Sequence, residues 1–489
     1  MRQHLSRMMG VLHLGLGLFY LQWRLTRGVS PTLLGVAFLA AELFVFLATF
    51  AFTVSCWRDP ASSVSVTGSL ESLSKAFAEL PYVDVLVIRR WDSVEVTRQT
   101  ALAALRLNYP WHRFFVYVVD LEADPTMGEV AQAIPCEYVS CSSPTVDPLR
   151  FVLDEISTFG EFCLVLEAGQ FPDPDLLLKT LPYFFDQATT APIANTTGFV
   201  QVQLRALGHH IPDHPLQQRL AVGQDGGGVA PYLGTGALFR RKALQSLTNL
   251  DSRHPVALGC QLHLQGWKSY LCSTTEVTGA LLPLRNRRIA LLALLRALQM
   301  NPFGSGQLDG WQRLHYLWLG LWSSSGLAQF IYLMVPIIFL CLGIPAVLTF
   351  DQSFLWHFLP YILMGRLSWL LLFRPCEYGS AWWSERQTGS QFFQSMQAWV
   401  QSWRQDIPYR EQPSQLSLGP QGLLIVLTLS AIAVGVIRQA RGWDVDGYAF
   451  GFAILWASYN LLLLSIKPPG FDFLWFRAET EAKEQFPVT

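Results

Sequence analysis

Val83-Asp-Val-Leu-Val-Ile88 is a run of apolar residues around one aspartate. It is too short for a helix and too apolar for a half-exposed strand, and such a run suits a strand buried on both faces of a parallel sheet. Helical spacing over Val94–Leu107 follows and stops near Asn108-Tyr109-Pro110. Phe114-Phe-Val-Tyr-Val-Val119 reads as a second strand, closing on Asp120. A helical stretch over Met127–Ile134 leads to Cys136-Glu-Tyr-Val139, and Leu149–Phe159 is again helical. Phe162-Cys-Leu-Val-Leu166 is a strand ending at Glu167, and Asp173-Pro174-Asp175 opens a helix to Phe185. Gly198-Phe-Val-Gln-Val-Gln203 is a further strand. Tyr232-Leu-Gly-Thr-Gly-Ala-Leu-Phe-Arg-Arg-Lys-Ala-Leu244 is a glycine-bearing turn, a strand and a helix. This alternation predicts a doubly wound α/β domain, whose ligands bind beyond the carboxyl ends of the strands. Asp92, Asp120 and Glu167 fall at those ends, and Asp84 lies within the first strand. In Gly234-Thr235-Gly236 the glycines let backbone approach a ligand closely, although an ordinary tight turn explains them equally well.

On either side of this block the chain changes character. It has 489 residues, 35 Lys plus Arg against 36 Asp plus Glu, 51% hydrophobic and only 15% charged residues, with a mean hydropathy of +0.28. Soluble domains carry roughly 25% charged residues. The balance excludes a disordered chain, a nucleic-acid-binding protein with a basic surface and a small disulfide scaffold. Apolar runs over Val11–Trp23 (with Met8–Gly10), Leu33–Trp57, Leu327–Phe350, Phe354–Phe373, Gly422–Ile437 and Tyr448–Ile466 predict six membrane spans, two before and four after a block of about 270 residues. Trp23-Arg24 stands where a cleaved signal peptide would have small residues. Even numbers of spans put both ends and the central block in one compartment. Arg2 and Arg7, then Arg374, Arg386, Arg404 and Arg410, make that side cytoplasmic, against Arg24, Arg27, Arg438 and Arg441 opposite. None of the eight cysteines forms a C-x-x-C pair, which argues against a zinc site; free thiols suit a reducing cytoplasm.

The order of these parts resembles bacterial cellulose synthase, a membrane-embedded family-2 glycosyltransferase. The likeness runs over residues 15 to 470. It rests on Tyr20-Leu-Gln-Trp-Arg-Leu-Thr26, Ala41-Glu-Leu-Phe44, Val83–Val87, Tyr232–Gly236 with Arg240–Leu244, Gln265-Gly-Trp-Lys-Ser269, Gln312-Arg-Leu-His-Tyr-Leu317, and Ile454–Leu464 with Trp456, Tyr459 and Asn460. The resemblance implies a cytoplasmic GT-A-like α/β domain, of the nucleotide-diphospho-sugar transferase kind, inserted between two and four transmembrane helices. The expected organisation is membrane helices over 1–57, the transferase-like domain over 58–285 and interfacial amphipathic helices over 286–325. Helices three and four follow over 326–373, a cytoplasmic gating-like segment over 374–421, helices five and six over 422–466, and a tail over 467–489. That tail leaves no room for a C-terminal cyclic-di-GMP domain.

The family moves sugar from a UDP-sugar to a growing β-glucan, so acids should hold Mg²⁺ or Mn²⁺ on the diphosphate and a carboxylate should act as base. Position by position, these groups are eroded. After the first strand Arg89, Arg90 and Trp91 precede the one acid, Asp92. Where adjacent aspartates belong, Asp120 is followed by Leu121 and Glu122. The metal-binding D-x-D is Glu167-Ala168-Gly169, so Glu167 is the one candidate metal ligand. Counting back from Gly266 for the base reaches Arg253-His254-Pro255, which makes His254 the candidate and leaves Asp251 off register. The Q-x-x-R-W clamp is reduced to Leu284-Arg285-Asn286-Arg287-Arg288, with Arg285 and Arg287 as residual diphosphate contacts. Beside the apolar stretch Ile289–Met300, those arginines better suit an interfacial helix among lipid headgroups. The substrate-binding candidates are therefore Asp92, Asp120, Glu167, Gly234, Thr235, Gly236, Arg285 and Arg287.

Three readings stay open: an inactive subunit partnered with an active polysaccharide synthase and in contact with a glucan chain, an active transferase with relocated groups, and a membrane scaffold. Elsewhere, Pro212 and Pro215 turn His209, His210 and His214 into a polar loop rather than a metal-binding helical face. Asp225-Gly-Gly-Gly228 is a turn without a P-loop lysine. The aromatics Trp382, Trp383, Phe392, Phe393, Trp399 and Trp403 fit a membrane interface. Glu42 inside the second span is expected to face protein or water.

Overall fold

A computed structural model describes residues 2–55, 79–90, 92–141, 147–156, 158–185, 196–206, 228–248, 250, 252, 255–279, 298, 302, 304, 306–348, 352–373, 392–402, 419–443 and 447–465. They fall into two compact units, divided between Tyr316 and Leu317 in the later part of the chain.

The α/β unit is built on one eight-stranded sheet. Its strands are β1 (Val83–Arg89), β2 (Phe114–Asp120), β3 (Glu137–Ser140), β4 (Phe162–Glu167), β5 (Gln170–Pro172), β6 (Thr197–Ala206), β7 (Ala237–Arg240) and β8 (Lys268–Gly279), in the order β3-β2-β1-β4-β7-β6-β8-β5. The first four are mutually parallel, and β1 and β4 are buried along their whole length. Caps start the connecting helices. Ser93 Oγ accepts the Val96 N–H at 3.3 Å. Asp124 and Asp147 cap the Pro125–Gln132 and Pro148–Glu155 helices, each with proline at the first position; both devices favour a helix start. The core packs Leu86, Ile88, Val119, Val165, Phe199 and Phe239 together.

Beyond β4 the sheet becomes mixed. β7 is antiparallel to both β4 and β6, β8 runs parallel to β6, and β5 closes the edge antiparallel to β8. The expected doubly wound pattern thus describes the parallel half and needs this antiparallel insertion added. The expected helix over Asp173–Phe185 shortens to Leu176–Thr180 followed by a 3-10 turn over Leu181–Phe184. The expected Leu149–Phe159 helix spans Pro148–Glu155.

In the second unit, Leu33–Ser55, Ser325–Leu342, Gly419–Ala440 and Gly447–Leu464 are helices long and apolar enough to cross a membrane. Two further helices, Arg2–Trp23 and Gln352–Phe373, match the other predicted spans in position. Their rings stack on one another, Phe19 on His357 at 4.3 Å and His13 on Tyr361 at 5.0 Å between centroids. The third predicted span ends early, at Leu342, because Gly343 takes a left-handed φ of 74° and donates to the Phe339 carbonyl. The fifth grows to 22 residues.

Candidate functional site

Register alone assembles the strand-end cluster. Arg89 pairs across to Asp120 on one side of β1, and Ile88 to Glu167 on the other. Arg90 and Asp92 follow directly, in the crevice outside the carboxyl ends where ligands of such sheets sit.

Asp120 is fully buried and its carboxylate is filled from within. Oδ1 accepts Arg89 Nη1 at 2.9 Å and the Glu122 N–H at 3.0 Å. Oδ2 accepts the Asp124 N–H at 2.9 Å and the Tyr138 hydroxyl at 3.0 Å. Four donors match the roughly four lone-pair positions of a carboxylate. Arg89 also reaches Asp124 Oδ2 at 3.1 Å and the Asp92 carbonyl at 2.9 Å. Asp120 is thus the post around which the β2 loop folds.

Glu167 sits differently. Arg90 Nε lies 3.5 Å from its Oε1, with the side chains only 16% and 6% exposed. Oε2 is buried without a hydrogen-bond partner. Burial pushes the Glu167 carboxyl above the usual range, Arg90 pulls it back, and Asp92 raises it further. Its backbone N–H is shared by Gln170 Oε1 at 3.0 Å and Thr235 Oγ1 at 3.2 Å, and the Thr235 hydroxyl donates to Gln170 Oε1. Thr235 therefore ties the glycine loop to β4.

Gln201, which the sequence reading passed over, finishes that loop. Its Nε2 donates to the carbonyls of Thr235 at 2.8 Å and Gly236 at 3.0 Å, and its Oε1 accepts the Leu233 N–H at 3.0 Å. A polar residue inside an apolar strand was its signal. Gly236 has φ +62°, and a Cβ there would lie 2.6 Å from Leu204 Cδ2. These bonds support the tight-turn reading of Gly234 and Gly236. Gly169, in the lost D-x-D position, has φ +85° and donates to Thr100 Oγ1 at 2.8 Å.

The candidates His254, Arg285 and Arg287 lie outside the described residues, as do His209, His210, His214 and Asp225. Of the histidines described in this unit, His263 is an internal link. Tyr316 Oη lies 2.6 Å from its Nδ1 and Ser269 Oγ 2.8 Å from its Nε2, while Ser269 Oγ donates to the Ala230 carbonyl at 2.6 Å. Ser269 has one hydrogen, so His263 carries its proton on Nε2 and accepts from Tyr316. Burial, then the neighbouring His315, holds His263 down at about 3. An unfolded histidine titrates near 6.5, so the unfolded chain binds the extra proton between those values. Stability will fall as pH drops through that window, by at most about 1.4 kcal/mol per pH unit from this group. Thermal melts from pH 7 to 4 will show the slope; burial holds His315 down at about 3 as well, so His263→Gln will reduce the slope and leave the His315 share.

Among the described residues no group of three or more His, Cys, Asp or Glu is placed to hold a metal. Divalent cations such as Mg²⁺ and Mn²⁺ take carboxylates and other oxygens without a competing cation. Glu167 with glycine two residues on and a guanidinium across from it does not fit that requirement.

No family model matches the chain. A UDP-forming cellulose synthase catalytic subunit of Dictyostelium discoideum is 25% identical over 353 residues, covering 64% of this chain and 32% of the relative. The UDP-forming cellulose synthase 1 catalytic subunit of Komagataeibacter xylinus is 24% identical over 375 residues, 68% of this chain and 46% of the relative. The chain is cellulose-synthase-like. The cellulose-synthase-like alignment spans less than half the length of either relative. In structure, the mannosyltransferase PcManGT from Pyrobaculum calidifontis, solved with GDP-Man and Mn²⁺, aligns with a TM-score of 0.51 at 14% identity over 77% of this chain and 100% of that one. That likeness shows the fold, a GT-A-type α/β domain accompanied by apolar helices.

Proposed function

We propose that this cellulose-synthase-like protein is a catalytically inactive, pseudo-glycosyltransferase subunit of a polysaccharide synthesis and secretion complex. It sits in a bacterial inner membrane with its α/β domain in the cytoplasm, beside an active synthase and a β-glucan chain. The observation that carries this reading is the capture of Asp120 and Glu167 by the protein itself. Asp120 is saturated by four internal donors, Glu167 faces Arg90, and Gly169 stands where a second metal ligand belongs.

A second reading, an active UDP-sugar-dependent transferase using Mg²⁺ or Mn²⁺, draws support from the unpartnered Oε2 of Glu167. UDP release from UDP-glucose by the purified chain separates the two. The expected rate with Mg²⁺ or Mn²⁺ equals that of a protein-free control. Metal-dependent release above that control would overturn the inactive reading. Co-purification with a catalytically competent synthase is the positive result expected.

A further inference from the structure

The two arginines that end β1 are the least explained feature of the strand-end crevice. They occupy successive positions, yet they serve different carboxylates on opposite sides of the strand. Arg89 bridges Asp120 and Asp124 at 2.9 and 3.1 Å. Arg90 turns to the β4 side and faces Glu167. Each cation is nearly enclosed, with side-chain exposures of 7% and 16%. A buried carboxylate that keeps its charge is strongly unfavourable without a counter-cation. In this chain the sequence supplies it.

We infer that Arg90 is a built-in counter-cation that replaces a divalent metal at Glu167, so that this crevice takes up neither Mg²⁺ nor Mn²⁺. The inference rests on the proposed inactive reading and deepens it. Three observations converge. The Arg90 guanidinium lies on the Glu167 oxygen opposite the unpartnered one, so a metal bound at Oε2 would sit within one carboxylate's width of a fixed positive charge. Two cations so close in a buried crevice repel strongly. Gly169 contributes no oxygen from its side chain, and its backbone N–H, a donor, is already bonded to Thr100. Asp120, the other strand-end acid, has its lone pairs filled from its own loop and from Arg89.

The test is a titration of the full-length, detergent-solubilised chain with Mn²⁺ alone, following free Mn²⁺ by electron paramagnetic resonance. Wild type is expected to bind no Mn²⁺ through the millimolar range. Arg90→Gln removes the charge and keeps a hydrogen-bonding side chain of similar reach; it is expected to bind Mn²⁺ at least tenfold more tightly. Adding Glu167→Gln to that variant is expected to abolish the gain. Saturable Mn²⁺ binding by wild type that Glu167→Gln removes would overturn the inference, and this arm needs no Arg90 variant to fold. A folded Arg90→Gln chain, judged by a single cooperative thermal melt, that still binds no Mn²⁺ would overturn it as well. Wild-type Mn²⁺ binding without UDP release would sink this inference alone. Mn²⁺-dependent UDP release would sink the inactive reading with it.

Discussion

Arg241→Ala will destabilise the α/β unit by about 3–5 kcal/mol, the cost of removing one partner of a buried ion pair. Asp84 sits in the middle of β1, paired to Phe115 on one side and Cys163 on the other, with no solvent exposure. Its Oδ2 accepts the Gly160 N–H at 2.9 Å and Arg241 Nη2, while Oδ1 is buried without a hydrogen-bond partner. Arg241 also donates to the Gly160 carbonyl and to Thr158 Oγ1, so one guanidinium ties the start of the helix after β7 to the turn before β4. The fit is close: a Cβ on Gly160 would lie 2.6 Å from the Asp84 backbone nitrogen. Burial pushes the Asp84 carboxyl above its ordinary range, and Arg241 is the first group that draws it back. Without Arg241 the folded-state value rises further above the unfolded one, so the folded protein binds the extra proton. The deficit relative to wild type is therefore largest at neutral pH and narrows as pH falls toward about 4, the unfolded aspartate range. Melting both proteins across that range tests sign and size together. Arg241→Met combined with Asp84→Leu removes both charges and should melt above Arg241→Ala; equal melting points would mean that the arginine acts by packing rather than by charge.

What could be read in the sequence follows from how each element is buried. The parallel half of the sheet was legible because β1, β2 and β4 are covered on both faces and carry apolar runs interrupted only by Asp84. β8 has twelve residues but was unreadable. Its Ser269, Ser273, Thr274 and Thr275 break any apolar pattern, and its pairing with β6 jumps from Val202–Cys272 to Gln203–Glu276. β5 has only three residues and exists through its contact with β8. The site divides in the same way. That Asp92, Asp120 and Glu167 cluster at strand ends follows from counting along strands. Which carboxylate each arginine serves does not, because Arg89 and Asp120 are 31 residues apart and meet only through register. In the sequence Arg89 and Arg90 only precede the one acid, Asp92, and carry no role of their own. The structure gives them a positive role as the counter-charges of the acids that remain.

Arg24→Leu is expected to be the most damaging single change in the second unit, again by about 3–5 kcal/mol. The sequence marked Glu42 as an acid needing protein or water, and the structure supplies protein. Arg24 Nε donates to Glu42 Oε2 at 2.8 Å, and the Tyr20 hydroxyl donates to Oε1. Arg24 is fully buried in a π-helical turn, Arg24–Gly28, where it also donates to the Gly28 carbonyl and lies 5.4 Å from the Phe38 ring centroid. Loss of the arginine strands Glu42 among apolar helices, whereas Arg24→Leu with Glu42→Leu leaves no charge to strand. A double-mutant cycle by thermal unfolding in detergent should show the double variant more stable than Arg24→Leu alone; a double variant that is worse would locate the effect in the turn's shape. The same contacts leave the orientation unchanged. Four arginines, Arg24, Arg27, Arg438 and Arg441, opposed the proposed cytoplasmic placement of the α/β domain. Arg24 is an internal ion-pair partner, and Arg438 donates to the Cys341 carbonyl at 2.7 Å at the end of the Ser325–Leu342 helix. The positive-inside rule counts Lys and Arg near the span ends whatever contacts they make in the folded protein. The balance therefore stays as the sequence has it, six arginines on the proposed cytoplasmic side against four opposite.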